Sequence, residues 1–316
     1  MDEFEIIRRY FSTGSVRRSD VALGIGDDAA LLTVPAGQEL AVTTDSLLSG
    51  VHFPADLDAA AVGHRALAAN LSDLAAMGAE PTWALLALTL PSADQDWLAA
   101  FSRGFFALAK KHHVALVGGN IACGPLNITI TAQGLVPTDH ALTRKGAAAN
   151  DLIFVTGHPG DAAAGLRLLQ SGRADMEDTC VRRFAYPEPR VEAGAALRGL
   201  ASACIDISDG LLADLGHILE VSGVGATIMT ARLPLSKRLL QLHGMEGGQQ
   251  LALTGGDDYE LLFTAPSERQ RAIEERLGKL ACPVACIGSI EATPGLRCLE
   301  ASGHGLKITE PGYKHF

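Results

Sequence analysis

The order of apolar and polar residues predicts a first part of the chain built from both helices and strands. Phe4, Ile7 and Phe11 recur at helical spacing and indicate an amphipathic helix at its start. The run from Asn127 to Val136 alternates Ile, Thr and Ala, which is typical of a sheet strand. The remaining predictions are a buried strand Ala29–Leu32, a strand Leu40–Asp45, a helix Asp58–Gly78, a strand Thr82–Leu90, a helix Asp94–His112 and a strand Val114–Val117. We therefore expect an α+β fold in this part.

A polar, turn-rich stretch from Pro137 to Asn150 separates this part from the next and predicts a domain boundary near residue 140. The two predicted domains are 1–140 and 141–316. The predicted elements of the second are strands Leu152–Thr156, Ala203–Ser208, Tyr259–Thr264 and Val284–Ile287, with helices from Asp161, over Arg190–Leu200, from Leu211 and over Ser267–Leu277. Strands that alternate with helices are typical of an α/β domain.

Composition agrees with two domains, because 316 residues are many for one hydrophobic core. Hydrophobic residues make up 47% and charged residues 20%, as in an ordinary globular protein. The formal net charge is −10, which argues against nucleic acid or an anionic membrane as partners. An acidic enzyme that binds phosphates would need metal ions to offset the repulsion between its own acids and the phosphates.

The cysteines and the N-terminus predict a cytoplasmic location. Six cysteines are scattered, and the close pair Cys282 and Cys286 has no second ligand pair nearby for zinc. The start, Met1–Glu5, is acidic and therefore unlike a signal peptide. No run of about 18 apolar residues is present, so we expect no membrane span.

Short apolar strands repeatedly end on a carboxylate or amide within a turn. These residues are Asp28, Asp45, Asn120, Asp206, Asp209, Asp257 and Asp258. Strand ends on one edge of a sheet lie close together, and a set of oxygen ligands without His or Cys suits Mg²⁺. Asp73 adds to this set, because a carboxylate near a helix C-terminus is unfavourable without a nearby cation.

Each of these residues also has a structural interpretation. Gly24–Asp28 could be a surface turn, and Ser208 and Asp209 could cap the helix that follows them. His52 could be a polar loop residue, and Arg144 could either bind a phosphate or be solvated. The usual nucleotide signatures do not occur, since the chain has no GxxxxGK[ST] loop, no GxGxxG after a first strand and no kinase HRD or DFG motif.

The motifs, taken in order, resemble the thiamine-monophosphate kinase family of the aminoimidazole ribonucleotide synthetase-like (PurM-like) superfamily. The matching stretches are Gly24–Leu32, Thr43–Ser46, Val51–Phe53, Asn70–Ala79, Gly118–Asn120, Leu142–Gly146, Ile205–Leu211, Gly255–Leu261 and Gly312–Phe316. They span nearly the whole chain. The resemblance implies a two-domain PurM-like architecture, with a homodimer formed through the N-terminal domain and a C-terminal domain that covers the active cleft.

The resemblance also implies an activity, which is ATP-dependent phosphorylation of thiamine monophosphate to thiamine diphosphate with several Mg²⁺ ions. Metal ligation is implied for Asp28, Thr43, Thr44, Asp45, Asp73, Asp206 and Asp209. Contacts to ATP are implied for Gly119, Asn120, Arg144 and Ser208, and contacts to thiamine phosphate for His52, Asp257 and Tyr313. No side chain is expected to act as a general base, because a phosphate monoester is already largely ionised at neutral pH.

Two positions differ from the family pattern. The family usually has Asp where this chain has Asn120, and Asn offers a carbonyl oxygen without a charge. Asp257 stands where Glu is more common, which moves its carboxylate by about one methylene.

Other functions remain open at this stage. Selenophosphate synthetases need a reactive Cys near the N-terminus, whereas the first cysteine here is Cys123. The related hydrogenase maturation proteins need a C-terminal Cys, whereas this chain ends in Phe316. A purine-pathway enzyme of the same superfamily and a nucleotide-binding regulatory protein that has lost catalysis are the further alternatives.

Overall fold

The computed structural model describes residues 1–173, 175–300, 302–306 and 312. The chain folds as two compact units, one of Met1–Leu74 and Ala79–Asp139, the other of Ala75–Gly78 and His140–Phe316.

The first unit contains three α-helices and six strands among its residues. They are α1 Glu3–Ile6, β1 Val21–Leu23, β2 Leu31–Leu32, β3 Gln38–Leu48, α2 Ala59–Ala76, β4 Glu80–Leu90, α3 Gln95–Lys111, β5 Ala115–Cys123 and β6 Asn127–Pro137. A π-helical turn, Ile7–Phe11, continues α1. Strands β3 to β6 form one sheet in the order β3-β6-β4-β5, in which only β4 and β5 pair in parallel.

Helix α2 begins and ends as its sequence predicts. The Asp58 carboxylate accepts hydrogen bonds from the backbone N–H groups of Ala60 and Ala61 and so caps the first turn. Gly78 follows the helix with a φ of +64°, a conformation that glycine adopts without strain. Helix α3 packs closely on α2, because a Cβ at Gly104 would lie 1.9 Å from the Ala60 carbonyl oxygen.

The predicted buried strand Ala29–Leu32 is wrong in its burial and its length. Only Leu31 and Leu32 are extended, and they pair with β1 in a separate two-stranded ribbon. The Leu31 side chain is 59% exposed. The ribbon lies outside the four-stranded sheet, and only one side of the run is covered, because Ala30 and Leu32 pack against the core around Trp83 while Leu31 faces solvent.

The second unit contains six strands and six α-helices in its described part. They are β7 Leu152–Thr156, α4 Asp161–Gln170, α5 Thr179–Ala185, α6 Val191–Leu197, β8 Ala203–Asp206, α7 Leu211–Ser222, β9 Gly225–Met229, α8 Lys237–Thr254, β10 Leu261–Ala265, α9 Gln270–Lys279, β11 Val284–Glu291 and β12 Gly295–Leu299. The sheet order is β12-β9-β11-β7-β10-β8, and only β12 and β9 pair in parallel.

The alternation of helices and strands is present as predicted, but β9, β12, α5 and α8 were not predicted. Helix α8 contains Gly244, Gly247 and Gly248, and Gly244 adopts a non-helical conformation with a φ of +68° inside it. Glycines at this density weaken a helical pattern, so no clear helical signal is present in this segment of the sequence. None of the helices in the described part of the chain combines the length and apolarity that a membrane crossing requires.

Candidate functional site

Strand β3 and helix α2 bring three of the predicted metal ligands together in the first unit. The Thr43 hydroxyl donates a hydrogen bond of 2.5 Å to Oδ2 of Asp73. Asp45 lies two residues further along β3, so it shares the face of the strand that carries Thr43. Burial, together with the Asp73 carboxylate, raises the pKa of Asp45 to about 6. The pair therefore costs free energy when both carboxylates are ionised, and a cation between them would remove that cost.

Thr44 points to the opposite face of β3. Its hydroxyl donates to the Ile130 carbonyl at 3.1 Å and lies 3.0 Å from the Thr131 hydroxyl of β6. The structure therefore does not bring its side chain to Asp45 and Asp73.

The ribbon loop and strand β5 line one cavity of about 990 Å³ in the first unit. Asp28 and Asp27 contribute from the loop, and Gly118, Gly119 and Asn120 contribute from β5. Asp27 accepts the backbone N–H of Asp28 at 2.9 Å, so it shapes the loop, while Asp28 lines the cavity beside it. This places predicted metal and ATP ligands around a single space.

Gly119 could not be replaced by a larger residue without movement of the backbone. Its φ is +149°, and a Cβ would lie 1.9 Å from the carbonyl oxygen of Leu86 on β4. A glycine here lets two strands, and any ligand in the cavity, approach the backbone closely. His52 lies shortly after the end of β3, where its Nδ1 accepts the backbone N–H of Leu48 at 3.0 Å.

In the second unit, Asp206 is the last residue of β8, which is an edge strand of the sheet. Asp206 is only 4% exposed, as its apolar surroundings in the sequence indicate. The Ser208–Gly210 turn follows, and helix α7 begins at Leu211 with Gly210 as its N-cap. Ser208 and Asp209 therefore precede the cap, and the alternative interpretation that they cap the helix is wrong.

Asp214, which the sequence did not single out, holds this turn in place. Its Oδ2 accepts the backbone N–H groups of Ser208, Asp209 and Gly210 at 3.1, 3.2 and 3.1 Å. Because Asp214 bonds the backbone of the turn, the side chains of Ser208 and Asp209 are not needed for that purpose and can contact other groups. The sequence offers only a weak signal for Asp214, namely an acid in the first turn of a helix that follows a Gly-containing turn.

The Gly255–Leu261 segment packs against this turn. The Asp257 N–H donates to the Ser208 carbonyl, and the Tyr259 N–H donates to the Ile207 carbonyl, each at 2.8 Å. Asp257 has a φ of +68°, and its Oδ1 accepts a hydrogen bond from the Tyr259 hydroxyl. Asp206, Ser208, Asp209 and Asp257 thus converge at one edge of the sheet.

Two neighbouring acids, Asp258 and Glu260, have structural partners. Asp258 accepts the backbone N–H groups of Gly160 and Ala162, at the start of α4, and burial raises its pKa well above the usual value. Glu260 accepts two hydrogen bonds from Arg190 and a third from the Thr156 hydroxyl. These side chains fix the loop that carries Asp257.

Arg144 lies in the segment that borders the outer side of β8. The neighbouring Thr143 carbonyl accepts the Cys204 N–H at 2.8 Å, and the Arg144 side chain is exposed. Tyr313 lies outside the described residues, so its predicted role remains a prediction. Its neighbour Gly312 lies against the start of α7, where a Cβ would fall 2.6 Å from the Asp209 carbonyl oxygen.

A hard cation fits the donor set in the first unit. No group of three or more His, Cys, Asp or Glu side chains is arranged for metal binding within the described residues. Mg²⁺ needs fewer protein ligands, because it retains waters and binds substrate phosphates. Asp45 and Asp73 supply two carboxylates whose mutual repulsion a cation would relieve.

Comparison with known proteins defines the class of this chain. The family model described as AIR synthase related protein, N-terminal domain, matches residues 26–136, and its C-terminal domain counterpart matches residues 148–299. The chain therefore belongs to the AIR synthase related proteins, and the predicted two-domain PurM-like fold is confirmed.

Relatives that align over nearly the full length of the chain show which family within this class it belongs to. The chain is 47% identical to the thiamine-monophosphate kinase of Escherichia coli (strain K12), over 99% of this chain and 98% of that protein. It is 46% identical to a thiamine-monophosphate kinase from Stenotrophomonas maltophilia K279a, whose crystal structure aligns with a TM-score of 0.87 over 92% of this chain and 93% of that one. The chain belongs to the thiamine-monophosphate kinase family, as its motifs predicted.

A further solved structure carries ligands. AaThiL complexed with AMPPCP and TMP is 34% identical, with a TM-score of 0.79 over 92% of each chain.

Proposed function

We propose that this chain transfers the γ-phosphoryl group of ATP directly to the phosphate of thiamine monophosphate and so forms thiamine diphosphate, the last step in making that cofactor. Its full-length similarity to thiamine-monophosphate kinases and the AMPPCP and TMP complex of a relative support this proposal. The observation in this chain that carries it is the Asp45–Asp73 pair, two neighbouring carboxylates whose repulsion a bound cation would relieve.

Repulsion between the two substrates explains why an acidic site suits this reaction. Two groups of charge −2 about 4 Å apart repel by about 4 kcal/mol in water and about 16 kcal/mol at an effective dielectric constant of 20. Bound Mg²⁺ would supply the positive charge that offsets this repulsion. The acceptor phosphate is already ionised, so no side chain needs to remove a proton from it.

We assign the individual roles as follows. Asp28, Thr43, Asp45, Asp73, Asp206 and Asp209 would hold Mg²⁺ through their side chains. Thr44, whose side chain faces the other side of β3, would take part only through its backbone carbonyl. Gly119, Asn120, Arg144 and Ser208 would contact ATP, and His52, Asp257 and Tyr313 would contact thiamine monophosphate. Residues 1–140 would form the ATP- and Mg²⁺-binding and dimerisation domain, and residues 141–316 the second domain.

Within these roles the chain's own residues mainly orient the reactants. The turn held by Asp214 would present Ser208 and Asp209 in fixed positions, and the left-handed backbone of Asp257 would set the direction of its carboxylate. Asn120 would contribute an oxygen without a charge, so the charge of Asp45 and Asp73 would matter more for cation binding.

We also propose that the protein is a cytoplasmic homodimer. Strand β3 lies at an edge of its sheet, and Leu40, Val42 and Leu48 share one of its faces with 46%, 58% and 42% of their surfaces exposed. A second copy that covers this apolar face would remove it from water.

The function is tested by measuring ADP formation with and without thiamine monophosphate over a range of Mg²⁺ concentrations. The proposal expects ADP only when thiamine monophosphate and Mg²⁺ are both present. It also expects Asp45→Asn to lower turnover at least about 100-fold. Asp56→Asn, which replaces an exposed acid outside the site, is the matched control. ATP binding without turnover would instead support a regulatory protein.

A further inference from the structure

A second cavity, of about 710 Å³, lies in the second unit and involves none of the residues assigned above. Its lining comes mainly from helices α4, α5 and α8 and from the loop that precedes α6. This volume falls within the range of small-molecule sites in proteins.

Basic residues dominate the lining, although the chain as a whole is acidic. Five arginine and lysine side chains line the cavity, against the two acids Asp161 and Glu188. The basic residues are Arg182, Arg183, Arg190, Lys237 and Arg238, with His158 beside them. Such a local excess of positive charge attracts anions.

Two of the five cations already have anionic partners. Arg190 binds Glu260, and Arg238 binds Asp178 through hydrogen bonds from Nε and Nη2. Arg182, Arg183 and Lys237 make no side-chain hydrogen bond or ion pair with any described residue of the chain. Apart from the electrostatic attraction between Arg183 and the buried Asp161, their positive charge is therefore available to a ligand.

The three available cations converge by helix geometry. Thr179, Arg182 and Arg183 are separated by three and four residues on α5, so they share one face of that helix. Lys237 is the first residue of helix α8, and its side chain lines the same cavity as those of Arg182 and Arg183. A cluster of arginine and lysine side chains around one cavity suits phosphate groups in particular.

The two acids of the lining already interact with other groups of the chain, and Glu188 interacts electrostatically with Arg190. Asp161 is 5% exposed and accepts a 2.6 Å hydrogen bond from the Ser236 hydroxyl, so its carboxylate is already engaged. Burial also raises the pKa of Asp161, which favours its neutral form.

We propose that this cavity is a second binding site, for an anion with a phosphoryl or diphosphoryl group, held by Arg182, Arg183 and Lys237. Thr179 and His158 line the same space and can donate further hydrogen bonds to phosphate oxygens. The site does not depend on the activity proposed above.

The test is calorimetric titration of the full-length protein with inorganic pyrophosphate in EDTA, so that sites that require Mg²⁺ stay unloaded. The proposal expects binding by the wild type and about tenfold weaker binding by Arg183→Ala and by Lys237→Ala. The matched controls are Arg269→Ala and Lys279→Ala, which remove exposed cations outside the cavity and should change affinity less than about twofold.

Three results would overturn the proposal. They are no binding by the wild type, equal weakening by the control variants, and binding that is lost in Arg144→Ala but kept in the cavity variants. Thermal melting of each variant shows that it folds, and Arg183→Lys, which retains the charge, should recover part of the affinity.

A parallel titration with ADP in EDTA distinguishes the source of the phosphate. Tighter cavity-dependent binding of ADP than of pyrophosphate indicates an organic diphosphate, and equal binding indicates the free anion.

Discussion

Arg190 holds the buried carboxylate of Glu260 with two hydrogen bonds of 2.6 Å, one from Nε and one from Nη2. Glu260 is 4% exposed and lies three residues after Asp257. The pair therefore connects the helical side of the second unit to the loop that carries a proposed substrate contact.

Arg190→Ala should destabilise the protein by about 3–5 kcal/mol, because it leaves a buried carboxylate without its cation. Urea unfolding followed by circular dichroism measures this loss. Arg271→Ala breaks the exposed pair with Glu275 instead and should cost less than about 0.5 kcal/mol. Equal effects of the two substitutions would contradict the importance assigned to the buried pair.

Asp214→Ala should impair catalysis more than stability, since it removes the acceptor shared by three backbone N–H groups of the Ser208–Gly210 turn. We expect kcat/KM to fall about 10- to 100-fold, mainly through a higher KM for ATP. Asp214→Asn retains one acceptor oxygen and should fall between the alanine variant and the wild type. A normal KM for ATP in both variants would rule out the positioning role.

Stability of the metal-free protein should depend on pH through Asp45. Its pKa of about 6 in the folded chain exceeds the value of about 3.9 in an unfolded chain. An acid of this kind contributes stability that is present below the unfolded pKa and is lost as the pH rises through the folded pKa. The melting temperature in EDTA should therefore fall between about pH 4 and pH 7.

Asp45→Asn should reduce this pH-dependent decrease in melting temperature, whereas Asp56→Asn should leave it unchanged. Mg²⁺ should raise the melting temperature of the wild type most at pH 7, where Asp45 is ionised. An identical pH profile for Asp45→Asn and the wild type would exclude Asp45 as the source.

Gly119→Ala should abolish or strongly impair folding or ATP binding, because the added Cβ would lie 1.9 Å from a backbone carbonyl and the φ is +149°. Gly216→Ala is the control, since Gly216 lies in helix α7 and an added Cβ there would have no atom within 4 Å. That control should be neutral or stabilise the protein by up to about 1 kcal/mol. Soluble yield, melting temperature and AMPPCP binding measure both variants.

Much of the fold could be predicted because strong local signals determine it. Helix α2 has a capping Asp58 and a terminal Gly78, and both act as the sequence indicates. Helix α8 was not predicted, because its glycines weaken the helical pattern of the sequence. Its stability comes from tertiary packing. The Ala29–Leu32 run was predicted as a buried strand because an apolar run does not show which of its side chains are covered. Leu32 packs against the core, whereas Leu31 does not.

The same distinction applies to the proposed site, where local sequence signals predicted some residues and tertiary contacts determine the others. A strand end predicted a role for Asp45, and a position near a helix C-terminus predicted one for Asp73. The structure adds that Thr43 bonds Asp73 whereas Thr44 faces the other side. Asp214 could not be ranked from sequence, since its importance depends on three backbone groups that only the folded turn brings to one oxygen. The same limit applies to the second cavity, whose cations lie on helices far apart in the chain.

The two faces of β3 limit how this protein can change during evolution. One face carries Thr43 and Asp45, and the other carries Thr44 together with the exposed Leu40, Val42 and Leu48. Because side chains alternate along a strand, a single-residue insertion or deletion within β3 would exchange the two sets. Carboxylates would then enter the apolar surface and leucines the acidic site. Length changes in this segment should therefore be rare among functional relatives, while the loops on either side remain free to vary.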